Sequence, residues 1–186
     1  MHLYLVRHGR DAADDTGERM LTAVGRTQAE AVGTWLAGRA PTRLYCSTLT
    51  RARETADIVG EAVGLCPVRE PGLNEVAGDD QASAGIAPRE RRSVPGGLGR
   101  ESWNGFLERV AACVSELCRD VPTGNCVVLV THSGFFDAVH ELLSGAGTRV
   151  EMAVAHTGVT HWQFRYGTAA GNWVLHQHNG TAHLAP

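Results

Sequence analysis

An α/β fold, with a mainly parallel sheet carrying helices on both faces as a three-layer αβα sandwich, is predicted by three features of the 186-residue sequence. Short apolar runs alternate with segments of helical spacing, as a chain of βα units requires. One run, Cys126-Val127-Val128-Leu129-Val130, is apolar at every position, the pattern of a central parallel strand buried on both sides. Two runs end abruptly at a histidine, in Arg7-His8-Gly9 and in Thr131-His132-Ser133-Gly134, where a strand empties into a loop.

The elements follow in order. Residues 2–6 read as the first strand. Thr22 is a good N-cap for a helix whose apolar or small positions include Ala23, Val24, Ala29, Val32, Trp35 and Leu36. Leu44-Tyr45-Cys46 makes a second short strand, and a helix from about 50 to 63 is closed by Gly64. Residues 77–101 hold no sustained period of either kind and read as a variable loop insertion within a single domain spanning residues 1–186. Ser102 then caps an amphipathic helix with Trp103, Phe106, Leu107, Val110, Val114 and Leu117 on one stripe. A helix over 135–143 follows the central strand, and strands near 159–165 and 172–176 complete the sheet.

Composition removes several function classes. The net charge is −3, and the only cluster of arginines lies at residues 89–92, so no basic stripe for nucleic acid exists. No run approaches the roughly 20 apolar residues of a membrane span, and the N-terminal run is too short for a signal peptide. Five cysteines with no C-x-x-C pair read as reduced thiols of a cytoplasmic protein. Neither a metal nor another cofactor is expected. A zinc pair at His176 and His178, with His183 nearby, lacks a carboxylate or thiol to complete a ligand set.

In open α/β sheets, ligands bind beyond the carboxyl ends of the strands. His8, His132 and Arg51 each follow a strand and converge on that edge. Alone, each has a plainer reading, as a polar loop residue or a solvated helix residue. Together they suit phosphoryl chemistry. A neutral imidazole is a competent nucleophile, Arg7 and Arg51 supply forked donors for phosphate oxygens, and Gly9 and Gly134 allow close backbone approach.

Five blocks carry a resemblance to a known family. Leu5-Val6-Arg7-His8-Gly9 resembles the Arg-His-Gly signature of the histidine phosphatase and phosphoglycerate mutase superfamily. Residues 21–29, the block Ser47-Thr48-Leu49-Thr50-Arg51-Ala52 with Thr55-Ala56, Leu73-Asn74-Glu75, and Val130-Thr131-His132-Ser133-Gly134 resemble its further blocks, in the family's order and spacing. The resemblance implies a metal-independent phosphomonoester hydrolase in which His8 becomes phosphohistidine. Arg7, Arg51 and His132 hold the phosphoryl group, and Glu75 is the acid, with Asp79 and Asp80 as competing carboxylates. Gly9, Ser133, Thr22 and Asp14 join the implied substrate-binding set. The expected partner is a small-molecule phosphomonoester, with a phosphoprotein as the alternative and a homodimer left open.

The sequence departs from the family where many members carry Ser or Thr and then Asn after the signature. Here those positions are Asp11 and Asp14, and carboxylates repel a phosphate dianion. Either this loop turns away from the pocket, or the substrate presents something cationic or hydroxylic to it. The departure and the short chain favour a phosphatase over a mutase, while both histidines and both arginines argue against a non-catalytic phosphate-binding scaffold, which Asp11 and Asp14 leave open. Arg89, Arg91, Arg92 and Arg100 place residues 77–101 between a partial lid and a solvated loop.

Overall fold

Alternation along the first strand decides the architecture. In β1 (His2–Arg7), Leu3 and Leu5 enter one apolar cluster while Tyr4 and Val6 enter another. In β6 (Cys126–Thr131), Val127 and Leu129 divide in the same way from Cys126, Val128 and Val130. Side chains of a strand point alternately to opposite faces, so a strand apolar at every position needs cover on both sides. On one side that cover is α1 (Ala23–Ala37) and α2 (Thr50–Val63), through Val32, Leu36, Ala52, Ala56 and Val59. On the other it is α3 (Trp103–Leu117) and α4 (Ser133–Ser144), through Trp103, Phe106, Val110, Phe135, Phe136 and Val139. The expected three-layer sandwich results.

The computed structural model describes residues 1–76, 101–147, 150–166 and 171–185. The expectations placed on residues 77–100, among them a lid, Asp79, Asp80 and the arginines at 89, 91, 92 and 100, lie outside the described residues.

The main sheet has the order β5-β4-β6-β1-β7-β8. β5 (Val68–Arg69), β4 (Arg43–Cys46), β6 and β1 run parallel. β7 (Val159–Arg165) and β8 (Asn172–Gly180) are antiparallel, since the connection between them is too short for a crossover. β8 continues four residues past its expected end at His176, because its polar outer residues hide an edge strand from an apolar pattern.

Sequence capping signals hold. Thr22 accepts from Gly25 N, Ser102 accepts from Gly105 N, and Gly64 closes α2 at φ 73°. Not anticipated was a hairpin of β2 (Asp11–Ala13) and β3 (Arg19–Leu21), whose three-residue strands carry too little alternation to read. α4 also starts earlier than expected, at Ser133, directly after His132. No helix among the described residues is long and apolar enough to cross a membrane.

Candidate active site

The carboxyl ends of β1, β6 and β4 fall on one edge, and the chain past each end stays in register. His8 N donates to Thr131 O at 3.0 Å, and Ser47 N donates to Val130 O at 3.0 Å. This brings His8, His132 and Ser47 side by side, with Arg51 one turn into α2. Gly9 is required because a Cβ there would lie 2.5 Å from Gly25 O. Its amide is already committed to Thr55 Oγ1 at 3.0 Å, so Gly9 secures the loop rather than offering a donor to a ligand.

His8 is buried, at 4% exposure. Its Nδ1 lies 2.8 Å from Gly9 O, a pure acceptor, which fixes the proton on Nδ1. Nε2 therefore carries the lone pair, and it accepts from Arg51 Nε at 3.2 Å. Burial lowers the His8 pKa to about 3, with Arg51 and Arg7 adding to the depression and the Gly9 bond and Asp11 opposing it. His8 is thus neutral, and one tautomer is selected.

His132 is fully buried, its ring centroid 5.1 Å from that of His8. Ser47 Oγ donates to Asn74 Oδ1 at 2.8 Å, so it accepts from His132 Nε2–H at 2.8 Å. Asn74 Oδ1 also takes Thr48 N at 2.9 Å. Burial, then the charges of His8, Arg51 and Arg7, hold the His132 pKa well below its ordinary value. Its Nδ1 and the Arg7 Nε are buried without a hydrogen-bond partner. Leaving such groups unsatisfied costs about 1–3 kcal/mol each, so their place beside His8 points to a polar ligand. Arg7 is otherwise anchored through Nη1 to Val154 O.

Glu75 lies at the N-terminus of α4, with Oε2 3.3 Å from Gly134 N and 3.5 Å from Ser133 Oγ. Its Oε1 accepts from Val76 N at 3.1 Å. The helix has no side-chain cap of its own, so this carboxylate meets its unpaired amides. The glycine is what admits it: a Cβ at 134 would sit 2.4 Å from Glu75 Oε1.

The two departing aspartates separate completely. Asp14 is exposed, and its Oδ1 accepts from Thr16 N, Thr16 Oγ1 and Glu18 N at 2.7–3.0 Å inside the hairpin turn. It stands apart from the substrate-binding place the resemblance gave it. Thr22 likewise spends its hydroxyl on Gly25 N and Arg10 O as a helix cap. Asp11, by contrast, turns inward with its side chain 4% exposed, 2.7 Å from Arg19 Nε, 3.7 Å from Arg51 Nε and 3.6 Å from His156 Nε2. Burial alone would raise its pKa, but the Arg19 bond and the nearby cations bring it below the usual value, so it stays ionised.

His156, a half-buried ring 5.6 Å from that of His8, joins the site, as do Ser47, Asn74 and Arg19. Ser47 and Asn74 stood in the sequence only as members of the family-like blocks, and nothing local marked Arg19. His8, Asp11 and His156 bring one ligand atom each within 4.8 Å of one another. A cation there would face Arg19 and Arg51 on the same carboxylate and compete with the His8 Nδ1–H bond, so the set suits hydrogen bonding better than a metal. The C-terminal histidines have partners of their own: His176 bonds Gln163 Oε1, His178 faces Thr160 Oγ1 and Ala153 O, and His183 faces Thr157 Oγ1.

A neutral buried imidazole ringed by arginines, with a carboxylate on a helix N-terminus nearby, is an arrangement that suits binding of a phosphoryl group. The sequence pattern of the histidine phosphatase superfamily (branch 1) matches residues 3–180, and the chain belongs to that superfamily. It resembles a probable phosphoglycerate mutase, GpmB, of Yersinia enterocolitica, at 26% identity over 205 residues, covering 99% of this chain and 95% of the relative. A mycobacterial glucosyl-3-phosphoglycerate phosphatase solved with inorganic phosphate superposes with a TM-score of 0.81 at 26% identity, covering 99% of each chain. A phosphoserine phosphatase of Entamoeba histolytica, 22% identical over 99% of each chain, shares the fold with a TM-score of 0.76. The fold and the site are those of a phosphatase of this superfamily.

Proposed function

We propose that this chain hydrolyses a phosphomonoester through a covalent phosphohistidine on His8, with no metal. The observation that carries the reading is the lone pair of His8 Nε2, set by the Nδ1–H bond to Gly9 O and faced by Arg51. Nε2 attacks phosphorus as the ester P–O bond breaks, and Glu75 gives its proton to the leaving oxygen. In the second step Glu75 takes a proton from water, the oxygen attacks phosphorus, and the N–P bond breaks to release phosphate. Arg7 and Arg51 hold the non-bridging oxygens. The bare Nδ1 of His132 accepts a hydrogen bond from the protonated oxygen of a phosphate monoanion.

Asp11 supports hydrolysis over a mutase. A mutase must accommodate a second phosphate, and this inward carboxylate repels one on the Arg19 side of the pocket. The substrate we favour is a small phosphomonoester with a hydroxyl or ammonium group on that side. A phosphoglycerate ester is a first choice, given the mycobacterial phosphatase of similar structure. Five free cysteines fit the reducing cytoplasm.

The deciding experiment is phosphate release from an aryl phosphate in excess chelator, with rapid acid and base quenching of labelled enzyme. The expected result is chelator-resistant turnover through a base-stable, acid-labile phosphoenzyme, absent in His8→Ala. Full activity in His8→Ala would overturn the proposal. Conversion of 3-phosphoglycerate to its isomer without phosphate release would establish the mutase instead.

A further inference from the structure

Arg109 lies on α3 against the segment that bears Glu75, and the superfamily reading gives it no task. Its guanidinium has five N–H donors. Nη1 donates to Gly72 O at 2.9 Å and to Asn74 O at 3.0 Å, and Nη2 to Glu75 O at 3.4 Å. The remaining two go to Glu101, Nε to Oε1 at 2.8 Å and Nη2 to Oε2 at 2.6 Å. The guanidinium carbon also sits 4.8 Å over the Phe106 ring, which holds its plane.

Every donor is therefore used, and three of them grip carbonyls of one short segment, at Gly72, Asn74 and Glu75. That segment supplies both halves of the proton chemistry. Glu75 is the acid, and Asn74 Oδ1 holds the Ser47 hydroxyl that fixes the tautomer of His132. No regular sheet or helix hydrogen bonding spans residues 74–76, which follow the 3-10 turn Pro71–Leu73. The clamp adds backbone anchorage to the carboxylate's own contacts, among them those with Val76 N, Gly134 N and Ser133 Oγ.

We infer that Arg109 is a positioning residue for the reaction: through Gly72, Asn74 and Glu75 carbonyls it sets the reach of the Glu75 acid and the Asn74–Ser47–His132 chain. A lysine has three donors radiating from one point and cannot span three carbonyls and a carboxylate. The inference rests on the proposed role of Glu75 and goes beyond it.

The test compares kcat/KM for two substrates, 4-nitrophenyl phosphate and glycerol phosphate, in wild type, Arg109→Lys, Glu75→Gln and the double variant. kcat/KM reports the steps up to phosphoenzyme formation. A nitrophenolate leaves without a proton, whereas an alkoxide needs one, so a misplaced acid acts selectively on the second. Arg109→Lys is expected to lose about tenfold to a hundredfold on glycerol phosphate and about threefold or less on the aryl ester. The double variant should discriminate no more than Glu75→Gln alone. If Arg109→Lys does not fold, Glu101→Gln loosens the same guanidinium and should show the same selective loss. Equal loss on both substrates, or none on either, would overturn the inference while Glu75→Gln still shows the selectivity. If Glu75→Gln shows no selectivity, the acid assignment falls and the inference with it.

Discussion

Replacing Gly134 with alanine separates activity from stability. An added Cβ would lie 2.4 Å from Glu75 Oε1, 3.3 Å from its Cδ and 3.7 Å from Oε2. Ordinary contact begins near 3.4 Å, so the carboxylate oxygen must retreat by about 1 Å, a displacement that costs on the order of a hundredfold when it moves a catalytic group. That factor is about 2.7 kcal/mol of transition-state stabilisation. The atom in the way is the tip of a flexible side chain, so the backbone need not move and the protein should fold. Alanine is also the better helix former, by up to about 1 kcal/mol in a helix interior, which leaves the melting temperature level or slightly raised. The assay is the initial rate on glycerol phosphate at saturating and limiting concentrations, paired with a thermal melt of the same sample. Activity within about threefold of wild type, with the melt unchanged, would show that Glu75 is not the acid held at this helix terminus.

Three further outcomes follow from the charges. Asp11→Asn removes an ionised carboxylate beside Arg51 and His8, and should strengthen competitive inhibition by inorganic phosphate about tenfold; weaker inhibition would mean Asp11 serves binding instead. Because burial lowers His8 to about 3, nitrogen NMR at pH 5 should show it as neutral imidazole with the proton on Nδ1, where an unperturbed histidine is mostly charged; an imidazolium pattern already at pH 6 would refute this. Burial, with His176 and His2 beside it, lowers His161 to about 4. The unfolded chain takes up that proton near pH 6.5 and the folded chain does not, so this contribution is complete above pH 6.5 and declines as pH falls toward 4. The melting temperature should drop between pH 7.5 and 5, and His161→Gln should reduce the drop; an unchanged drop would place its origin elsewhere.

How much the sequence discloses depends on how local the signal is. β6 is legible because six consecutive buried residues need no partner to be recognised, and Thr22 and Ser102 because a cap acts within three residues. The candidate site residues Arg7, His8 and Arg51 are legible for a related reason, since each sits at or shortly past a strand end. Asp11 and Asp14 show where local reading stops. They are the same residue type three positions apart, yet the hairpin turns one toward His8 and the other into its own turn. Nothing in the intervening Ala12 and Ala13 announces that reversal. Arg109 is the opposite case, an arginine on an amphipathic helix that reads as solvated until residues 72–75 are seen passing beneath it. Its meaning comes from a contact more than thirty residues distant in sequence.

The bond from Arg51 Nε to His8 Nε2 has a consequence for selectivity of another kind. On the proposed mechanism the electron pair that attacks phosphorus is capped at rest, and the group capping it is also the one that would grip the phosphate. Only an electrophile whose own negative charge draws the guanidinium aside meets an uncovered nitrogen. Neutral reagents that acylate or alkylate accessible histidines encounter a nucleophile already occupied. On that mechanism the protein would screen what it reacts with by charge before shape is tested, and the incoming anion would itself arm the nucleophile.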